Sequence, residues 1–327
     1  MGQVVGAISL LSKRRSRACF DRWAESGILN HMTSPRVSFV VVTHARPAWV
    51  RGAIESIRRQ TINSREIVVV VNGPDPETQQ FLRALDSAVC MTVLDGNTGV
   101  GGGRNAGIAL ARGEVLFFLD DDAELRDPDA VARLLTHFER DPDLAVVGVL
   151  VIDAATGVIE RRCLPFRDKR VPLGPTAACY FAGGACAIRR AVFDRVGFYD
   201  ESLFYGGEEL DLSYRVLEAG FRILFDPSVA VIHHGAAGLA LSTGPYYYAR
   251  NRPWVALRYL PLRCCVTHTI AWWAWSLARG LRAGAPGYAL RGIRDCVAGM
   301  PEIWRGRRPI SRRTCQILAR DGGRLWY

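Results

Sequence analysis

The chain has 327 residues, 49% hydrophobic and 23% charged, a globular composition that excludes disorder and suffices for one large domain or a domain with an appendage. Nine cysteines, an odd set with no C-x-x-C pair, exclude a disulfide framework and read as reduced thiols in a cytosolic compartment. The formal charge of +10 is carried by the ends: residues 1–36 hold six basic and two acidic residues, residues 37–249 hold 21 and 27, and residues 250–327 hold fifteen Arg, no Lys and three acids.

Residues 1–36 form a basic extension. Its apolar stretch, 4–11, precedes Lys13, Arg14, Arg15 and Arg17, the reverse of a secretory signal's order. Met1-Gly2 does not make a myristoylation site, because position 6 is Gly where Ser or Thr is required. Met32 stands just before the first strand, which leaves open that residues 1–31 are an inessential extension.

From Val37 onward, short β-branched runs alternate with helical segments. Strands are expected at 37–42, 66–71, 91–94, 114–119 and 144–151, and helices at 49–60, 76–85, 102–111 and 129–140. Continuous apolar runs suit parallel strands covered on both faces. The β-α-β-α order then gives a Rossmann-like, doubly wound, mostly parallel α/β sheet, whose ligands bind beyond the carboxyl ends of its strands.

Four strand ends converge on that edge. After the first comes THARP (43–47), after the second NGPD (72–75), after the third DGNTGVGGGRN (95–105), and after the fourth Asp120, Asp121 and Asp122. The Gly-rich segment lacks the third glycine of G-x-G-x-x-G and follows the third strand instead of the first, so it is not a dinucleotide fingerprint. It reads as a turn where backbone N–H groups and Arg104 approach phosphate, or as a tight packing loop. Three Asp at a strand end are commonly a solvated turn, yet at the ligand edge they are hard oxygen ligands for Mg²⁺ or Mn²⁺ bridging a diphosphate. Asp127-Pro128-Asp129 reads as a helix cap. In GGEELDLSYR (206–215) the clustered acids suit a helix start through the helix dipole, and equally a general base. VIHHG (231–235) closes the region.

These segments together resemble the family 2 inverting glycosyltransferases of GT-A fold, particularly the bacterial rhamnosyltransferase-like branch. The resemblance covers residues 37–252 and rests on VVVTHARP, VVVNGPD, NTGVGGGRNAGI, FLDDDAEL, the segment GGACAIRRAVFDRVGFYDESLFYGGEELDLSYRVLEAGFRILFDP and VIHHG, in the family's order. It implies a nucleotide-sugar half, 37–125, and an acceptor half, 126–252. Thr43 and Arg46 would lie against the nucleotide, and Asn97, Gly102, Arg104 and Asn105 near it or its phosphates. Asn72, Asp75 and Asp121 are counted on the same nucleotide-sugar edge. Asp120 would approach the ribose and the metal, Asp122 the metal, and His233 the metal or diphosphate, with His234 as its substitute. A histidine beside carboxylates fits Mn²⁺ somewhat better than Mg²⁺. Glu208-Glu209-Leu210-Asp211 matches the family's Glu-Asp-x-Asp, whose second acid is the general base. That position is Glu209, and either Glu209 or its neighbour Glu208 would serve, with Asp211 counted in the same catalytic group. Val71 stands where relatives carry an Asp against the pyrimidine, which leaves Asp75 as a replacement and the base unassigned.

Beyond residue 252 the composition changes, and six of the eight Trp occur at 254 or later. The uncharged stretch 264–278 contains Trp272, Trp273 and Trp275 between Arg263 and Arg279. A perpendicular span needs about 20 residues, so this segment suits a helix lying in an anionic membrane interface or packed on the catalytic domain. Cys264, Cys265 and His268 lack a fourth metal ligand, and no nucleic-acid module is recognisable. The expectation is a metal-dependent transferase, cytoplasmic and peripheral on the inner membrane face. It would move a sugar from a UDP- or dTDP-type donor to a lipid-linked, polysaccharide or other glycan acceptor. A small-molecule acceptor is an alternative, as is a metal-dependent nucleotidyltransferase, although VTHARP lacks a triphosphate signature.

Overall fold

The structure is a computed structural model that describes residues 35–85, 89–235, 243–323 and 325–326. Residues 1–31, whose need the sequence leaves open, lie outside the described residues. Nine strands form one sheet in the order β3-β2-β1-β4-β8-β6-β9-β5, with β7 also paired to β9. β1 (Val37–Thr43), β2 (Arg65–Val71), β3 (Val89–Val93) and β4 (Val115–Asp120) run parallel, as the apolar runs predict. Phe39 and Val41 pack on one face while Val40 packs on the other, which explains why the run is continuous and not alternating. Each such fully buried side chain contributes about 1.5–3 kcal/mol of transfer free energy.

The order then departs from a simple doubly wound sheet. β8 (Ala185–Arg189) inserts antiparallel between β4 and β6 (Leu144–Asp153), so the fourth and fifth expected strands are not neighbours. β9 (Arg222–His233) resumes the parallel direction beside β6, and the short β5 (Ala123–Leu125) pairs antiparallel with β9. β7 spans Thr176–Ala178.

The expected helices appear as α1 (Pro47–Arg58), α2 (Pro76–Ala84), α3 (Gly99–Leu110) and α4 (Ala130–Arg140), followed by α5 (Ala191–Val196) and α6 (Glu208–Glu218). α3 starts three residues early and contains the glycines that the sequence reads as a turn. A Cβ on Gly103 or Gly107 would come within 2.5 or 2.3 Å of a methyl of Val42 or Val40, so these glycines let the helix lie directly on β1.

Four further helices follow: α7 (Gly244–Tyr259), α8 (Leu262–Arg282), α9 (Pro286–Arg305) and α10 (Arg312–Arg320). α7 runs unbroken through the position, 252/253, where composition divides the chain. Trp254 and Trp273 donate their indole N–H groups to Cys296 O and Ala249 O at 2.9 and 3.0 Å, tying α8 and α9 to α7. No helix among the described residues is long and apolar enough to cross a membrane. α8 buries Cys264, Cys265 and His268 while Leu262, Val266 and Ile270 stay exposed. Among the described residues seven cysteines are free thiols, whereas Cys90 is disulfide-bonded, which departs from the all-thiol expectation.

Candidate active site

Asp120 ends β4 opposite Val42 of β1, and the chain turns at Asp121 and Asp122 into β5. The β5–β9 pairing sets Ala123 against His233, and the His234 N–H donates to Asp122 O at 2.8 Å. This register delivers His233 to the acidic turn from 111 positions away in sequence. One ligand atom each from Asp120, Asp122 and His233 lies within 4.8 Å of the others. Two carboxylate oxygens and an imidazole nitrogen form a donor set that suits Mn²⁺ or Mg²⁺. His234 turns away instead, bonding Glu124 at 3.0 Å and packing on Trp49.

Cations already occupy the rest of the turn. Arg46 Nη1 lies 3.3 Å from Asp121 Oδ1 and 3.2 Å from Asp122 Oδ2. Burial pushes the Asp121 carboxyl up to about 6, against the opposing Thr43 hydroxyl and Arg46. His233 Nε2 stands 3.5 Å from Asp122 Oδ1, and its Nδ1 lies 2.5 Å from Glu160 Oε1. Asp122 and Glu160 together raise the imidazole to about 10. Burial resists ionisation of Glu160, but His233 and Arg162 draw it down to about 2.

Glu160 is the residue that sequence reading missed. A turn after β6 folds it back, with Asp153 N bonded to Val158 O and Glu160 N to Val151 O, both at 2.9 Å. A carboxylate on the far nitrogen of a metal-binding imidazole fixes its tautomer and orientation. The only sequence signal is a polar turn followed by Glu, which is too common to single out.

The second carboxylate cluster starts α6. Its N-cap, Gly207, has φ of 115°, a conformation that a side chain disfavours. Arg104, buried on α3, lies 3.2 Å from Glu209 Oε1, 3.8 Å from Glu208 Oε1 and 3.7 Å from Asp120 Oδ1, and so joins the two clusters. Glu208 is buried, and its Oε2 has no hydrogen-bond partner among the described residues. Burial, then the neighbouring Glu209, holds its carboxyl well above the usual range. Gly184 faces this junction, where a Cβ would sit 1.9 Å from the Asp120 carboxylate.

Several expected residues are engaged elsewhere. Asp211 is buried with Oδ2 bonded to Arg215 at 2.9 and 2.7 Å and Oδ1 to Arg258 and Tyr259 at 2.9 Å, so it ties α6 to α7. Asp75 caps α2 by accepting from Thr78 N at 3.3 Å. Asn72 Oδ1 accepts from Thr98 N and its Nδ2 donates to Gly99 O, both at 2.9 Å, while Asn97 Oδ1 accepts from Gly99 N at 2.9 Å. These two shape the loop before α3. Asn105 bridges to Tyr199 through both its amide atoms at 3.0 Å, and Gly102 packs against Thr98.

Residues 38–197 match the family model "Glycosyl transferase family 2". The chain is 27% identical over 250 residues to the O-antigen biosynthesis protein RfbC of Myxococcus xanthus, covering 68% of this chain and 19% of that protein. It is 22% identical over 209 residues to the O-antigen chain rhamnosyltransferase RfbN of Salmonella typhimurium, covering 61% of this chain and 66% of that one. The chain thus spans less than two thirds of these relatives. The crystal structure of GalNAc-T7 with UDP, GalNAc and Mn2+ superimposes with a TM-score of 0.57 at 19% identity, over 83% of this chain and 57% of that chain.

Proposed function

We propose, from the match of residues 38–197 to the family 2 glycosyltransferase model and from a fold shared with GT-A glycosyltransferases, that the chain transfers a sugar, with inversion, from a UDP- or dTDP-type donor to a hydroxyl of a lipid-linked or polysaccharide acceptor. The observation that carries this reading is the convergence of the Asp120–Asp122–His233 donor set and the Glu208–Glu209 pair on one buried cation, Arg104.

The residues divide the work by charge. Asp120, Asp122 and His233 would hold Mn²⁺ or Mg²⁺, which supplies positive charge to offset that on the departing diphosphate. Arg104 is placed to add its own charge on the same side. A glutamate removes the acceptor hydroxyl's proton as that oxygen attacks the anomeric carbon from the face opposite the leaving group. Glu209 is the better placed, because it meets Arg104 at 3.2 Å while burial keeps Glu208 protonated. The exposed Leu262, Val266 and Ile270 of α8, among the Arg residues of the tail, support seating on an anionic membrane surface, on the cytoplasmic side.

Thermal melting with Mn²⁺ and a panel of nucleoside diphosphates tests this. Stabilisation is expected with a pyrimidine diphosphate only when metal is present, and Asp122→Asn should abolish it. A panel without any metal-dependent stabilisation overturns the reading.

A further inference from the structure

Three consecutive residues of α7 use their side chains unequally. Arg250 donates to the carbonyls of Ser202 and Leu203 at 3.0 and 3.1 Å and to Asn251 Oδ1 at 2.8 Å. Asn251, fully buried, directs its amide at the carbonyls of Leu203, Tyr205 and Gly206 at 2.7, 2.8 and 2.8 Å. Together they pin the loop that leads into Glu208. Arg252 has no hydrogen bond and no ion pair among the described residues, and its Nε is buried without a partner.

What surrounds Arg252 is aromatic and lies beside the glutamate pair. Its guanidinium sits 5.0 Å from the ring centroid of Trp272 and 5.7 Å from that of Tyr248. Those two rings stack at 5.8 Å, and Trp275 stands edge-on to both. A Cβ on Gly206 would lie 3.5 Å from the Tyr248 ring and one on Gly207 3.4 Å from the Asn251 side chain, so this group stands against the loop that leads into Glu208, whereas Arg104 also meets Asp120. Arg252 therefore belongs to the glutamate side of the cleft. Cation–π contact offsets only part of the cost of withdrawing a guanidinium from water, and a planar guanidinium pairs strongly with phosphate.

We propose that Arg252, with Tyr248, Trp272 and Trp275, forms an acceptor subsite that takes a phosphate ester attached to the accepting sugar. The rings offer flat apolar faces to the sugar, and the guanidinium takes the phosphate oxygens. This deepens the transferase reading and rests on it for the word acceptor. The glutamate side is where an acceptor hydroxyl must lie to lose its proton, while the donor's diphosphate has Arg104 and the acidic turn.

The test titrates inorganic pyrophosphate and glucose 1-phosphate into the full chain by calorimetry, with and without Mn²⁺ and UDP. The wild-type chain should bind at least one probe, Arg252→Met should weaken that binding at least tenfold, and Arg252→Lys should fall between. Melting temperatures of both variants should stay near wild type, and their affinity for Mn²⁺–UDP should be unchanged. Flotation with phosphatidylcholine vesicles carrying a polyprenyl phosphate separates the sources: Arg252-dependent capture identifies a lipid-linked acceptor, and Arg252-dependent binding of the soluble probes alone identifies a free sugar phosphate. No probe binding by the wild type, equal binding by Arg252→Met, or a loss confined to Mn²⁺–UDP overturns the proposal. Failure of UDP to bind the wild type, with the probe arm intact, counts instead against the transferase reading.

Discussion

On either side of Arg104, two acidic clusters receive opposite electrostatic provision. At the strand-end turn Arg46 stands 3.3 and 3.2 Å from Asp121 and Asp122, and His233 stands 3.5 Å from Asp122. At the start of α6 the two glutamates share one arginine, and an oxygen of Glu208 is buried without a partner. Like charges held close are tolerated when cations interleave them, and otherwise one of them keeps its proton. The first cluster is thus built to concentrate negative charge where a divalent cation fits. The second is built to set two adjacent carboxyls apart in basicity.

The largest effect that would break this contrast is on turnover. Glu209→Gln should lower kcat by about 10²- to 10⁴-fold, the usual range for a general base, with donor affinity unchanged. If Glu208→Gln costs more, the roles within the pair are reversed. Asp211, the third acid of the same helix start, should behave differently. Its replacement by Ala leaves Arg215 and Arg258 facing a vacated buried site, so the melting free energy should fall by about 3 kcal/mol, while turnover per folded molecule changes far less than in Glu209→Gln. A loss of turnover with unchanged stability would instead return Asp211 to the catalytic group.

On the strand-end side, Glu160→Ala should weaken Mn²⁺ binding by about 10- to 100-fold, as expected when the partner of a metal-binding imidazole is removed. Glu160→Gln should recover part of it, because an acceptor for the His233 Nδ1–H remains. Calorimetry reads both without any turnover. The smallest effect is on pH. Glu208 has its folded pKa raised to about 8 from 4.5, so the stability it contributes is whole below the unfolded value and is lost as pH rises through about 8. Glu208→Gln should therefore lose less melting temperature between about pH 5 and 9 than wild type. An identical slope would show that Glu208 titrates as an ordinary carboxylate.

Much of the scaffold was legible in the chain. The apolar runs at 37–42, 66–71 and 114–119 are β1, β2 and β4 to within one residue at each end, because burial on both faces leaves its mark in local composition. α2 and α4 were legible for a similar reason, since Pro76 and the Asp127–Asp129 segment punctuate the chain locally. The insertion of β8 beside β4 was not legible, because an antiparallel neighbour can come from anywhere in the sequence and its register depends on the partner's shape.

The site divides along the same line. By itself the sequence determined which carboxylates stand at strand ends and helix starts, since a strand's end and a helix's first turn are set by residues close in the chain. Only the tertiary structure decided their company. The β5–β9 register set His233 beside Asp122, and the turn after β6 brought Glu160 to His233. Packing of α7 on α6 gave Asp211 to Arg258 and Tyr259 and set Arg252 against Tyr248 and Trp272. The pairings of His233, Glu160 and Asp211 depend on contacts between residues some fifty to more than a hundred positions apart, and no local pattern of charge or hydrophobicity encodes which distant partner closes a given ion pair.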